Sequence, residues 1–146
     1  MLCGDVMLSL VFKSRTSDSV GAIAKVMRDE RLGFIPILDE SGHPVGVITD
    51  RDLVTRVLAS ELPPSTPVGK VMTPGPLLTC TADEDVHELE KRMAQQRRSR
   101  AIVVDRMGAC IGIISLSDVA QFEDPDDAGR LMRELTRRES AMISRP

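Results

Sequence analysis

The sequence predicts a mixed α/β (α+β) fold built as two copies of one unit, on three observations. Sliding the chain against itself by 66 residues gives identical residues at nine of the 33 positions from 20 to 52, where about two are expected from average composition. The pairs are Val20/Val86, Lys25/Lys91, Met27/Met93, Arg31/Arg97, Asp39/Asp105, Gly42/Gly108, Gly46/Gly112, Ile48/Ile114 and Asp52/Asp118. Each copy opens with apolar residues at helical spacing. Each then carries two short apolar runs around a glycine-bearing turn, the mark of a β-hairpin.

In chain order, Val20, Ile23, Ala24 and Met27 form the apolar face of a first helix, which Ser17 or Asp18 is expected to cap. The hairpin follows, Phe34 to Leu38 and Pro44 to Thr49, with Gly42 in its turn. A second helix follows, with Leu53, Val54, Val57 and Leu58 as its apolar residues. Pro63-Pro64-Ser65-Thr66-Pro67 cannot continue a helix and reads as a linker. Copy two repeats the order: a helix with Val86, Leu89 and Met93 behind the capping-box sequence Thr81-Ala82-Asp83-Glu84. Its hairpin runs Ala101 to Asp105 and Cys110 to Ile114 around Gly108, and a short helix carries Val119 and Phe122. The boundaries are therefore repeat one at 5–62, linker at 63–69, repeat two at 70–122 and a charged helical tail at 123–146. Leu131, Met132 and Leu135 form a narrow apolar edge on the tail, expected to pack on the body of the protein before a second subunit.

Composition removes several function classes. With 146 residues, 42% hydrophobic and 28% charged, the chain suits one compact unit rather than disorder. A net charge of −3 makes nucleic acid an unlikely partner, because phosphate binding needs a basic field. No run of about 18 apolar residues and no charged lead-in to an apolar stretch is present, so no membrane association and a cytoplasmic location are expected. Cys3, Cys80 and Cys110 lack ligand spacing and read as ordinary apolar residues, so no metal site is expected. His43 falls in a turn and His87 on an acidic helix, both reading as surface residues. With no positioned base or nucleophile, catalysis finds no support, and no enzyme is expected.

Two segments carry chemistry. Gly46-Val-Ile-Thr49-Asp50-Arg51-Asp52 and Gly112-Ile-Ile-Ser115-Leu116-Ser117-Asp118 each place a hydroxyl and a carboxylate three residues apart where a strand yields to a helix. Free N–H groups there suit a phosphate, and a carboxylate suits ribose hydroxyls. The same spacing equally suits a capping box, in which the hydroxyl and carboxylate serve only the helix backbone.

Together with Val6-Met7, Val71-Met72-Thr-Pro, Ile35-Pro36-Ile37-Leu38-Asp39 and Ile102-Val103-Val104-Asp105, these segments resemble the cystathionine-β-synthase (CBS) domain, in the tandem pair called a Bateman module. The resemblance covers about residues 5–122. It implies two pseudo-symmetric βαββα repeats packed through their sheets, with inter-repeat clefts, and a homodimer. In nucleotide-binding members the Gly-h-h-Thr/Ser-x-x-Asp pattern supplies a ribose carboxylate and a hydroxyl near the phosphate. It maps onto Asp52 with Thr49 and onto Asp118 with Ser115. By position, the adenine would lie at Ser14 to Thr16 with Ile35, Pro36 and Ile37, and at Thr79 to Thr81 with Ala101, Ile102 and Val103. Arg97-Arg98-Ser99-Arg100 is similar to the basic segment that reaches phosphates in gamma subunits of AMP-activated kinase, which points to Arg98 and Arg100; a solvated helix end is the plain alternative.

The expectation is a stand-alone regulatory module that binds AMP, ADP or ATP in one or both inter-repeat clefts and signals to an effector protein in trans by a change of shape. Two alternatives stand beside it: a ligand-free dimerisation or protein-interaction module, and a binder of S-adenosylmethionine.

Overall fold

In a computed structural model, which describes residues 1–10 and 12–143 and the backbone alone at 136 and 138–143, the chain forms two compact units. The last positions of the expected tail, 144–146, lie outside the described residues. One unit, here the leading unit, comprises Leu10–Leu77 with Met107–Cys110; the trailing unit comprises Met1–Ser9, Leu78–Arg106 and the chain from Ile111 onward.

The chain runs α1 (Cys3–Val6), β1 (Leu8–Ser9), β2 (Ser14–Arg15), α2 (Val20–Glu30), β3 (Phe34–Leu38), β4 (Pro44–Thr49) and α3 (Asp50–Asp52). A π-helix, Leu53–Leu58, and a 3-10 turn, Val68–Lys70, come next. Copy two supplies β5 (Thr73–Pro74), β6 (Thr79–Thr81), α4 (Val86–Gln96), β7 (Arg100–Val104), β8 (Cys110–Ser115), α5 (Leu116–Ala120) and α6 (Pro125–Ile143). The mixed α+β class and both hairpins stand where the sequence puts them, and Gly42 and Gly108 take positive φ values of 82° and 86° in the turns.

Each unit holds one four-stranded sheet, β2-β3-β4-β5 in the leading unit and β1-β8-β7-β6 in the trailing unit. The edge strands are exchanged between copies. β5, from the start of repeat two, pairs with β4 as Val47↔Thr73 and Gly46↔Pro74. β1, from the start of the chain, pairs with β8 in the equivalent register, Ile113↔Leu8 and Gly112↔Ser9. The preceding turns dock alike. Val68 N donates to Asp18 O (2.7 Å), Gly69 N to Thr16 O (2.9 Å) and Val20 N to Thr66 O (2.8 Å); Cys3 N donates to Glu84 O (2.8 Å), Gly4 N to Ala82 O (2.8 Å) and Val86 N to Met1 O (3.0 Å). The Pro-rich stretch is thus bound along the start of α2 rather than free.

The exchange explains the Gly46/Gly112 identity. A Cβ at Gly46 would lie 2.5 Å from Met72 Sδ and 2.9 Å from Thr73 O; at Gly112 it would lie 2.8 Å from Leu8 O and 3.0 Å from Met7 Sδ. Only glycine lets the exchanged strand and its methionine approach.

The two cores match position by position. Val20, Ile23, Met27, Ile35, Ile37, Ile48, Val68 and Val71 fill one, and Val86, Leu89, Met93, Ala101, Val103, Ile114, Cys3 and Val6 fill the other. Burial pushes the thiols of Cys3 and Cys80 above the ordinary cysteine value.

Three local expectations are corrected. The caps lie closer to the helices: Ser19 Oγ accepts from Ala22 N (3.1 Å) and Asp85 Oδ1 from His87 N (2.8 Å). Asp18 instead accepts from Arg15 N (2.8 Å), and Glu84 pairs with Arg92. The second helix of copy one opens into a π-helix, which leaves Val54 and Leu58 57% and 71% exposed while Val57 is buried. Phe122 is likewise 53% exposed. The tail helix α6 packs against α4 and α5, with Leu131 on the trailing core.

Candidate functional site

Both hydroxyl–carboxylate pairs form capping boxes. In the leading unit Thr49 Oγ1 accepts from Asp52 N (3.1 Å) and Asp52 Oδ2 from Thr49 N (3.0 Å). In the trailing unit Ser115 Oγ accepts from Asp118 N (3.2 Å) and Asp118 Oδ2 from Ser115 N (2.8 Å), and the Ser115 hydroxyl also donates to Asp118 Oδ2. The fold accordingly uses one oxygen of each carboxylate and leaves the other to its surroundings.

Those surroundings differ. Asp52 Oδ1 faces Arg56 Nη2 at 3.7 Å, and Arg56 Nη1 donates to Val71 O (2.9 Å) and Thr73 Oγ1 (3.0 Å). Phe122 stands at the position of Arg56 in copy two. Oδ1 of Asp118 therefore meets no such cation, and it has no hydrogen bond among the described residues.

A hollow of about 280 Å³ lies at the start of α5 in the trailing unit. Arg97, Ser99 and Arg100 line it from the end of α4 and the start of β7, Ser115 and Ser117 from the start of α5, and Met132 and Leu135 from α6. Leu116 N donates to Ser99 O (2.9 Å), fixing the basic segment against the helix start. Two arginines and the serines Ser99 and Ser117 along one space suit an anion with several oxygens, while the Ser115 hydroxyl is already given to Asp118. Of the sequence candidates, Arg100 and Ser115 meet here; Arg98 is exposed and does not line the hollow. Arg97, Ser99 and Ser117 escaped selection. Arg97 enters because it takes the left-handed conformation that ends α4 (φ 52°).

The strand segments proposed for adenine are paired in both units. β2 runs parallel to β3, Ser14↔Ile37, and β6 parallel to β7, Thr79↔Ile102 and Thr81↔Val104. Ile35, Pro36, Ala101 and Ile102 are buried, so their side chains belong to the sheets' packed layers. Thr16 is exposed, whereas Thr79 and Thr81 are half-buried on β6.

The family model for the CBS domain matches residues 3–59 and again 68–125. The chain belongs to the CBS domain family. Its tandem CBS repeats are 31% identical over 120 residues to the Methanopyrus kandleri protein MK0525, covering 82% of this chain and 61% of that one. They are 34% identical over 121 residues to YlbB of Bacillus subtilis, covering 82% and 80%. Among solved structures, the CBS domain pair of protein MJ0100, in complex with 5'-methylthioadenosine and S-adenosyl-L-methionine, superposes with a TM-score of 0.72 at 25% identity, covering 84% of this chain and 94% of that one. No helix of the CBS pair among the described residues is long and apolar enough to cross a membrane.

Proposed function

We propose that this CBS pair is a regulatory, non-catalytic module of the cytoplasm that binds an adenine nucleotide, AMP, ADP or ATP, and signals its occupancy to a partner protein in trans. The observation that carries the proposal is the hollow of the trailing unit, lined by Arg97, Arg100, Ser115 and Ser117; Asp118 does not line it but is joined to it through its hydrogen bonds with Ser115. Phosphate oxygens take the guanidinium and hydroxyl donors, and the ribose hydroxyls donate to the open oxygen of Asp118. Met132 and Leu135 of α6 line the same hollow, so a ligand that fills it favours one placement of α6 over others and shifts the population towards it. That helix is the route to a partner chain. Val54 and Leu58, exposed on the π-helix, offer an apolar face to a second copy, in keeping with a homodimer.

A second adenosine ligand, S-adenosylmethionine or 5'-methylthioadenosine, is favoured by the complex of the MJ0100 pair. It shares the ribose and lacks phosphate. Calorimetric titration with AMP, ADP, ATP and S-adenosylmethionine, repeated on Arg100→Ala, separates the two. Phosphate-dependent binding that weakens about tenfold or more in the variant supports the nucleotide. Tight S-adenosylmethionine binding indifferent to the substitution supports the thioether ligand, and silence with all four compounds overturns both and favours a ligand-free interaction module.

A further inference from the structure

Outside the anion hollow, the trailing unit brings an imidazole and two carboxylates to one point. His87 and Glu90 stand one turn apart on α4, and Glu123 reaches the same spot from the connection between α5 and α6. His87 Nδ1 lies 3.0 Å from Glu90 Oε2 and 3.5 Å from Glu123 Oε1, and one ligand atom from each residue falls within 4.8 Å of the others. Ligand atoms held about 2.0–2.2 Å from a tetrahedral zinc ion stand about 3.3–3.6 Å apart, so the two spacings from His87 Nδ1 need only small adjustment.

Two further observations separate this cluster from an exposed acidic patch. The side chains of Glu90 and Glu123 are only 15% and 11% exposed, and Glu90 Oε1 is buried without any hydrogen-bond partner. A buried acceptor left in that state costs stability unless something occupies it. Apart from His87 itself, no basic side chain of the surrounding groove pairs with these carboxylates among the described residues. Of the bases lining the surrounding groove of about 580 Å³, Lys91 pairs with Glu88 (2.6 Å) and Arg130 with Asp127 (3.4 Å).

We propose that His87, Glu90 and Glu123 form a binding site for a divalent transition-metal ion, zinc in the first instance, which ties the start of α6 to α4. One nitrogen and two carboxylate oxygens are a donor set that zinc accepts, and water completes the tetrahedron. The site shares no residue with the anion hollow, so it stands whether or not a nucleotide binds.

The test uses the full chain, stripped with chelator and titrated calorimetrically with zinc chloride in the absence of nucleotide. The expected result is one zinc ion per chain, with binding weakened by about 100-fold or more in both His87→Ala and Glu123→Gln, since even outer partners of metal ligands are worth 10–100-fold. Zinc should raise the melting temperature of the parent and of neither variant. Titration with cobalt chloride should show no thiolate-to-metal absorption, which excludes the cysteines. No saturable heat with zinc, unchanged affinity in His87→Ala, or a thiolate band would each overturn the proposal. His87 is 61% exposed in its side chain, so that variant folds and decides the matter if Glu123→Gln is unstable.

Discussion

Asp118 holds a helix cap in this structure and a ribose in the proposed complex, and two substitutions separate the roles. Asp118→Ala removes both, while Asp118→Asn keeps a side-chain oxygen for Ser115 N, now made by Asp118 Oδ2 at 2.8 Å, but replaces the open acceptor Oδ1 by an amide that donates. Ser115 is the N-cap and Asp118 the third helical residue, so Asp118→Ala removes the capping-box hydrogen bond from Ser115 N, worth about 1 kcal/mol, which an asparagine oxygen can still accept. For a chain of this size the alanine variant should melt about 2–4 °C lower and the asparagine variant within about 1 °C of the parent. Loss of a hydrogen bond to a charged acceptor costs about 1.5–3 kcal/mol, which is about 10-fold to 150-fold in affinity. Both variants should therefore lose nucleotide binding by that factor in calorimetric titration, although only one loses stability. Far-UV dichroism is the stability probe, because the chain contains no Trp and no Tyr. If Asp118→Asn binds nucleotide as tightly as the parent, the carboxylate is a cap alone and the ribose assignment fails.

Gly112→Ala puts a Cβ 2.8 Å from Leu8 O, a contact that cannot relax without loosening β1, and should cost about 1–3 kcal/mol in urea unfolding; stability equal to the parent would refute the close-approach account. Of the three cysteines, Cys3 and Cys80 are buried and their thiols are pushed up by that burial, so a thiol reagent should modify at most Cys110 in the folded protein and all three after unfolding. The hydrogen bond to Glu90 and the charge of Glu123 raise the His87 pKa, and burial raises that of Glu90. Both groups bind protons more tightly folded than unfolded, so their contribution is complete below the unfolded values and is lost as pH rises through the folded ones. In metal-free buffer the melting temperature should fall as pH rises from about 6 to 8 across the imidazole range, and His87→Ala should flatten that slope.

The elements were legible where local chemistry decides them. Val20, Ile23 and Met27, or Val86, Leu89 and Met93, leave no other face for a helix to bury, and the positive φ at Gly42 and Gly108 closes a hairpin wherever it occurs. The strand exchange was not legible, because Val6-Met7 and Val71-Met72 match each other and either fits the edge of either sheet. The caps were misplaced by the same kind of degeneracy: Ser17, Asp18 and Ser19 all accept hydrogen bonds, and the docked turn at Thr66, which takes Val20 N, selects Ser19. At the candidate site, Thr49, Asp52, Ser115 and Asp118 were legible as a spacing. Arg97 was not, since a left-handed arginine leaves no mark in composition, and Glu123 gave no sign of joining His87 because α6 must fold back on α4 to bring it there.

Duplication copied the capping box, and the substitution at one following position decides what each copy can still do. In the leading unit Arg56 is held by Val71 O and Thr73 Oγ1 of the exchanged segment and presents its guanidinium to the spare oxygen of Asp52. A ribose arriving there must displace an attraction that already serves the edge of the sheet. In the trailing unit Phe122 takes that position, Asp118 Oδ1 keeps no such partner, and Arg97 and Arg100 line the hollow at the start of α5, whereas the leading unit keeps an arginine, Arg31, in the first of those places and has Phe34 in the second. The cation has in effect moved from the carboxylate to the anion side of the motif. The trailing unit is accordingly the one expected to hold a phosphorylated ligand, and the leading unit the one in which the same motif works for the fold.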